Sequence, residues 1–310
     1  MSFQIDGVAV RINQNEADVA TGSGIGRECA LAYAAEGARG VAVVDLRLDA
    51  AQKTAAECEQ LAGTREGFKA LPLAADVGSR ESVDAMTQAV VDAYGRIDYL
   101  VNSAGVGVEK HLPVDDADPA EMQRFWRVNV MGSFYCIQAV TKVMKSQSVA
   151  TIITRGGQVR EVGRGVILNL GSCNSYMATP HIVQYSTTKH AVIGLTKNAG
   201  SSSHQPSLSY APYWRRKVLT YSRTALDNAA HGIRVNAICP GWVETPMVEA
   251  AMEGNPELPK MMKTIIPMSR IAKPQEIADV VLFMTSPRSS YVTGVGWLVD
   301  GGTTLQVQAC

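Results

Sequence analysis

Short, uninterrupted apolar runs recur along this chain with room for one helix between each pair, and that alternation constrains the fold more than any other feature of the sequence. The runs Gly40 to Leu46, Ala70 to Val77, Ile97 to Gly105, Gly165 to Ser172 and Gly232 to Gly241 are too short for buried helices. They read as parallel strands buried on both faces. Between them, residues 26–37, 79–95, 121–145 and 185–199 place apolar residues three and four apart, the period of an amphipathic helix. Ser79, with Glu81 and Ser82 beyond it, supplies a capped start to the second of these. Strands alternating with helices imply an α/β fold: a parallel sheet covered on both faces, with a ligand at the carboxyl ends of the strands. The 310 residues exceed the usual domain size, but α/β folds of this length are commonly one unit, and a single domain over 1–310 is expected.

Charge and cysteine usage narrow the function classes. Lysine plus arginine (29) equals aspartate plus glutamate (29), so no overall field recruits nucleic acid or an anionic membrane, and a small neutral partner fits better. The run Tyr213 to Lys217, an aromatic pair beside basic residues, reads as a solvated loop rather than a nucleic-acid patch. The six cysteines are scattered, with no CxxC pair and no histidine at metal-ligand spacing, so reduced thiols, a cytoplasmic location and no metal are expected. Cys173 has no base to activate it and reads as a packed thiol. Met1 to Ala20 lacks a signal-peptide pattern and no apolar run approaches the roughly 20 residues needed to span a bilayer, so a soluble protein is expected.

The strand ends carry the chemistry. Gly24 and Gly26 open a helix, where backbone N–H groups and the helix dipole can hold a pyrophosphate, although a GxG is by itself also an ordinary tight turn. Asp45 ends the next strand, 21 positions after Gly24, a spacing that suits a carboxylate on the adenine ribose. The same carboxylate repels a 2′-phosphate, which favours NAD over NADP; Arg47 argues the other way. Tyr185 and Lys189 lie four apart on one helix face, so the ammonium can favour the ionised phenol and make the tyrosine a usable acid/base. Ser172 stands at a strand end 13 residues before the tyrosine.

These residues sit in motifs that together resemble the short-chain dehydrogenase/reductase family over nearly the whole chain, with a likeness to fungal members of secondary metabolism. The matching pieces are SGIG at Ser23 to Gly26, DV at Asp76 and Val77, NSAG at Asn102 to Gly105, Asn129 in WRVNVMG, Ser172, YSTTK from Tyr185, and PGWVET from Pro240 to Thr245. The resemblance implies a Rossmann-type doubly wound sheet of about seven strands, and NAD, with NADP as the variant, as cofactor. It implies that Tyr185 is the general acid/base, that Lys189 binds the nicotinamide ribose and lowers the tyrosine pKa, that Ser172 orients the substrate oxygen, and that Asn129 supports a proton-relay water. Asp76 and Asn102 would flank the adenosine half, and Thr245 the carboxamide. Gly22, Ser23, Gly24, Ile25, Gly26 and Asp45 would complete the cofactor contacts on one side, with Val77, Ala104, Gly105, Pro240, Gly241 and Val243 on the other. Read alone, Asn102 and Asn129 are better accounted for as capping or bridging backbone groups. The implied substrate is a secondary alcohol or ketone, such as a polyketide or terpenoid, and the implied assembly a homodimer or homotetramer.

Three segments depart from the family pattern. Arg234 follows Tyr185 by 49 positions instead of about 24, and the surplus is residues 200–224, serine-rich with four basic and no acidic residues, which read as an insertion or a retained untranslated segment. The glycine loop is also too long: Val19 and Ala20 occupy the positions of its first threonine and glycine, and residues 11–20 form an anomalous polar run. The third surplus, residues 145–164, reads as a surface hairpin beside the substrate mouth. Two function classes follow: an NAD(P)-dependent oxidoreductase, favoured by Asn129, Ser172, Tyr185 and Lys189, and a catalytically impaired nucleotide-binding or scaffold protein, favoured by the altered loop. A lyase or epimerase is a lesser alternative.

Overall fold

The structure, a computed structural model, describes residues 8–12, 24–107, 111–199, 227–253 and 257–305. Strand β1 (Val8–Ile12) precedes α1 (Gly24–Ala35), β2 (Gly40–Asp45), α2 (Leu48–Ala62), β3 (Lys69–Ala74), α3 (Arg80–Tyr94) and β4 (Tyr99–Asn102). Then come α4 (Pro119–Phe125), a π-helical stretch (Trp126–Gly132) and α5 (Ser133–Ser146), followed by β5 (Ala150–Ile153), β6 (Val159–Gly163), β7 (Gly165–Leu170) and α6 (Val183–Ala199). After residue 226 the described chain adds β8 (Ile233–Pro240), α7 (Pro246–Glu253), α8 (Leu258–Ile265), α9 (Pro274–Thr285) and β9 (Gly296–Val299).

Among the described residues, seven strands form one parallel sheet in the order β3-β2-β1-β4-β7-β8-β9. The order reverses between β1 and β4, and that switch point opens a crevice at the carboxyl ends of the strands. All five apolar runs read from the sequence are strands. Each strand is shorter than its run: β3 stops at Ala74 because Asp76 turns the chain, its carboxylate accepting from Gly78 N at 2.8 Å and its N–H donating to Ser82 Oγ at 3.0 Å. Strand β4 keeps only Tyr99–Asn102. Strand β9 was not among the expected ones; it is four residues long and only partly buried, so its apolar run is weak.

Helices cover both faces. On one, Ala30, Tyr33 and Ala34 of α1 and Ile277, Val281 and Leu282 of α9 pack on Val101, Leu168 and Ile238. On the other, Val83 and Val90 of α3 and Ile137 and Val140 of α5 pack on Leu100, Ile167 and Val235. Fully burying one such side chain contributes roughly 1.5–3 kcal/mol. Helix α1, whose first turn faces the crevice, is fixed by Tyr33, which stacks on Tyr99 at 5.7 Å and donates its hydroxyl to Thr285 Oγ1 at 2.8 Å. Helix α3 begins as expected, with the Ser79 side chain accepting from Ser82 N, and stops at Gly95 in the left-handed region (φ 77°).

The surplus before β7 does form a hairpin, an antiparallel pair of β5 and β6, but not where the sequence suggested. It leads into the amino end of β7, opposite the end that carries Ser172. Its base packs Gly163 against Gly232, just ahead of β8, and Arg160 Nη2 donates to Pro287 O beyond the end of α9, at 3.0 Å. Spacing gave the length of the excursion, not which end of the sheet it leaves from. The runs 13–20 and 200–224 lie outside the described residues, apart from Arg11 and Ile12 in β1.

Gly163 has φ 107°, and a methyl group there would run into the carbonyl oxygen of Gly232. Gly163→Ala should therefore cost about 1–3 kcal/mol and lower the melting temperature by several degrees, while Gly156→Ala, at an open position in the same hairpin, should leave it unchanged. Differential scanning calorimetry of the two variants checks this.

Candidate active site

The carboxyl end of β7 and the first half of α6 bring Ser172, Tyr185 and Lys189 together. Beyond Leu170, Gly171 lets β7 approach β8 closely: a Cβ there would stand 2.6 Å from Cys239 Sγ and 3.0 Å from Ser175 Oγ. Ser172 then caps a single 3-10 turn (Cys173–Ser175), its hydroxyl accepting from Asn174 N at 3.2 Å. Ser175 ties this turn to α6, accepting from Ser172 N at 3.2 Å and donating to Lys189 O at 2.8 Å. Lys189 reaches back through the same gap, and its Nζ donates to Leu170 O at 2.9 Å.

Burial sets the electrostatics. It pushes the Tyr185 phenol up to about 12, with a hydrogen bond from the Ser172 side chain working the other way. It pushes the Lys189 ammonium down to about 8, against an opposing influence from Cys239. The expected lowering of the phenol by the lysine is not what this geometry gives: Lys189 Nζ lies 5.5 Å from the Tyr185 ring centroid, and desolvation outweighs the rest. The neighbouring thiols are also pushed up by burial, Cys239 to about 11, which makes them poor nucleophiles. Cys173 Sγ is 3.8 Å from Ser172 Oγ, a packed thiol as the sequence indicated.

Asn129 comes from the π-helical stretch and is buried against the end of β4. Its Oδ1 accepts from Val106 N at 2.8 Å, and its Nδ2 donates to Thr188 Oγ1 at 3.1 Å and to Val106 O at 3.3 Å. A Cβ on Gly105 would stand 3.2 Å from Asn129 Oδ1 and 3.7 Å from Lys189 Nζ, so the glycine is where β4, α6 and the π-helical stretch converge. Ala104 beside it is half-buried.

The described residues expected to hold a cofactor come from the first turn of α1 and from the carboxyl ends of β2, β3, β4 and β8 or the turns that follow them. Gly24 opens α1 at φ 75° next to Thr245, whose Cγ2 would lie 3.5 Å from an added Cβ; Ile25 is half-buried and Gly26 buried. Gly22 and Ser23 lie outside the described residues. Asp45 is fully buried at the end of β2 and accepts from Arg47 N at 3.1 Å, while the Arg47 guanidinium bonds the Asp49 carboxylate at 2.6 and 3.2 Å. Asp76 accepts from Arg127 Nη1 at 2.9 Å, and Val77 is buried behind it. Asn102 Nδ2 donates to Asn169 Oδ1 at 2.8 Å. Pro240 ends β8, Gly241 N donates to Val299 O at 3.1 Å, and Val243 is buried with Thr245 Oγ1 donating to its carbonyl at 3.3 Å. Sequence reasoning passed over Arg127, Thr188 and Ser175, whose partners lie 51, 59 and 14 residues away. Thr188 had a signal, its place inside YSTTK; Arg127 had none beyond standing two before Asn129.

Residues 19–207 match the family model described as short chain dehydrogenase, and residues 218–304 match one described as enoyl-(acyl carrier protein) reductase. The chain belongs to the short-chain dehydrogenase/reductase family. It is 61% identical to short-chain dehydrogenase anuF of Penicillium roqueforti over the full length of both chains. Its fold matches the crystal structure of a short-chain type dehydrogenase/reductase from Mycobacterium marinum with TM-score 0.75, 28% identity and 98% coverage of each chain. It also matches 3-ketoacyl-(acyl-carrier-protein) reductase from Brucella melitensis complexed with NADH, with TM-score 0.71, 27% identity and coverage of 98% and 100%. This short-chain dehydrogenase is therefore an oxidoreductase of a family that binds NAD(P). Among its described residues no three metal-ligating side chains cluster, and no helix is long and apolar enough to cross a membrane.

The buried ammonium has a measurable consequence. A lysine pushed from 10.5 to about 8 costs the fold roughly 3 kcal/mol below pH 8. Between pH 8 and 10.5 the unfolded chain binds more protons than the folded one, so that cost disappears as pH rises. In urea unfolding, the stability of Lys189→Met relative to the parent should be greater at pH 7 than at pH 10 by about 2 kcal/mol. A gap that does not change with pH would contradict the assignment.

Proposed function

We propose that this protein moves a hydride between NAD and a secondary alcohol or ketone, with Tyr185 as proton donor and acceptor. The observation that carries this reading is the convergence of Ser172, Tyr185, Lys189 and Asn129 at the end of one crevice. The crevice also fits the cofactor: Gly24 offers a left-handed turn at the first turn of α1, and Asp45 closes β2 with a buried carboxylate. Bound NAD supplies or accepts the hydride. The protein's own part is positional. Ser172 would hold the substrate oxygen beside the Tyr185 hydroxyl, and a high phenol pKa keeps the proton on Tyr185 until the developing alkoxide takes it. Lys189, fixed by Leu170 O, would face the nicotinamide ribose, and Asn129, held by Val106 and Thr188, would keep a water in line behind it. Gly24 and Thr245, which already adjoin each other, would border the pyrophosphate and carboxamide.

NAD is favoured over NADP because Arg47, the one residue arguing for a 2′-phosphate, is bonded to Asp49 and leaves the Asp45 charge to dominate. The substrate class we assign is a polyketide or terpenoid ketone. Support comes from the likeness to fungal short-chain dehydrogenases and from Met247, two residues after Thr245, which lies against Gly107 beyond the end of β4. In this reading the chain is one catalytic domain carrying 200–224 as an insertion, working in the cytoplasm as a homodimer or homotetramer.

Nicotinamide fluorescence titration should give at least about tenfold tighter NADH than NADPH, and Asp45→Ala should narrow or reverse that gap. Equal affinities in the parent protein would contradict the NAD assignment, and binding of neither would sink the hydride-transfer reading.

Removing the proton donor tests the chemistry separately. Tyr185→Phe should lower kcat at least about 100-fold on any ketone the parent reduces, with NADH affinity within about twofold. Retained turnover would take Tyr185 out of the mechanism.

A further inference from the structure

Behind the site, a chain of hydrogen bonds runs through the apolar interior without touching the proposed substrate. Asn102 of β4 and Asn169 of β7 are direct partners in the parallel ladder, two residues beyond the fully buried Leu100 and Ile167 on the same face. Asn102 Nδ2 donates to Asn169 Oδ1 at 2.8 Å, and Asn169 Nδ2 donates to Thr196 Oγ1 of α6 at 3.0 Å. The Thr196 hydroxyl donates onward to Val192 O at 2.8 Å. Asn169 and Thr196 are completely buried, and Asn102 is 4% exposed.

Apolar side chains would pack β7 against α6 without the cost of burying two amides and a hydroxyl. What a hydrogen bond adds over an apolar contact is direction: it fixes how far a helix has slid along a strand. Residues 185, 189, 192 and 196 follow at spacings of four, three and four, so they share one stripe of α6. That stripe is tied to β7 at consecutive residues, through Thr196 to Asn169 and through Lys189 to Leu170 O.

We propose that Asn169 is a positioning residue: with Thr196 it sets the place of α6 along β7, and so where Tyr185 and Lys189 stand relative to Ser172, while Asn102 joins that placement to the strand bordering the adenosine pocket. The inference rests on the proposed reading of the site as a dinucleotide crevice. Asn169 touches neither substrate nor cofactor; it acts through the helix.

Thr196→Val keeps the shape and leaves the Asn169 amide without its acceptor, whereas Thr196→Ser keeps the hydroxyl. In the full-length protein, Thr196→Val should weaken NADH, followed by fluorescence, by about tenfold, with ADP, followed by calorimetry, within about twofold of the parent, because only NADH reaches Lys189. Thr196→Ser should restore NADH binding. Equal losses for NADH and ADP, an unchanged NADH affinity, or failure of the serine to restore it would overturn the proposal. Hydrogen exchange without any nucleotide supplies a second arm: the amides of residues 185–192 should lose protection in Thr196→Val and regain it in Thr196→Ser. If the parent binds neither nucleotide, the hydride-transfer reading fails while this arm still decides, since equal protection in the valine variant and the parent would overturn the positioning role. Should the valine variant not fold, Thr196→Ala serves in both arms.

Discussion

A primary ammonium held inside the molecule against a backbone carbonyl is a demanding arrangement, and much of the site is built around it. Lys189 is 7% exposed, and burial disfavours its charge. The carbonyl of Leu170 is available to it because β7 ends there, and the chain continues into the turn capped by Ser172. Gly171 is small enough for Cys239 and Ser175 to close around the turn, and Ser175 holds the helix backbone at Lys189 itself. Move the end of β7 by one residue and the carbonyl, the cap and the serine would all face elsewhere.

The π-helical stretch solves a related problem on the neighbouring element. In the sequence, residues 121–145 carry one helical period, and nothing in the apolar spacing marks an interruption. The structure keeps helical backbone throughout but widens it over Trp126–Gly132. A widened turn rotates the residues after it relative to those before, and such bulges recur at functional sites. Here it faces Asn129 toward Val106 and Thr188, places Arg127 on the Asp76 carboxylate, and still lets α5 lay Ile137 and Val140 on the sheet.

Much of the framework was legible because parallel strands buried on both faces leave continuous apolar runs, as at Gly40–Asp45 and Ile233–Pro240, and because a tyrosine and lysine four apart come within reach of each other on one helix face. Ser79 and Gly95 likewise announce the ends of α3 through local chemistry. What escaped was non-local or short. Strand β9 has four residues and a half-exposed tryptophan, too little for a period. Asn169 reads as an isolated polar residue in a strand until Asn102 and Thr196, 67 and 27 positions away, meet it. The direction of the Tyr185 shift escaped for the same reason: spacing shows that Lys189 is near, whereas desolvation depends on everything packed around the ring.

The hairpin of β5 and β6 projects from the end of the sheet that holds no chemistry. Its tip, Gly156 and Gly157, has no neighbouring atom within contact distance of either added Cβ, and its base is clasped by Arg164, whose side chain donates to the carbonyls of Gln147 and His231. An open tip on a firmly anchored stem is a natural attachment point. A fluorophore, an affinity sequence or a surface linker joined there would leave from the amino end of β7, opposite the end that carries Ser172, so the protein can be labelled or immobilised with its crevice facing outward.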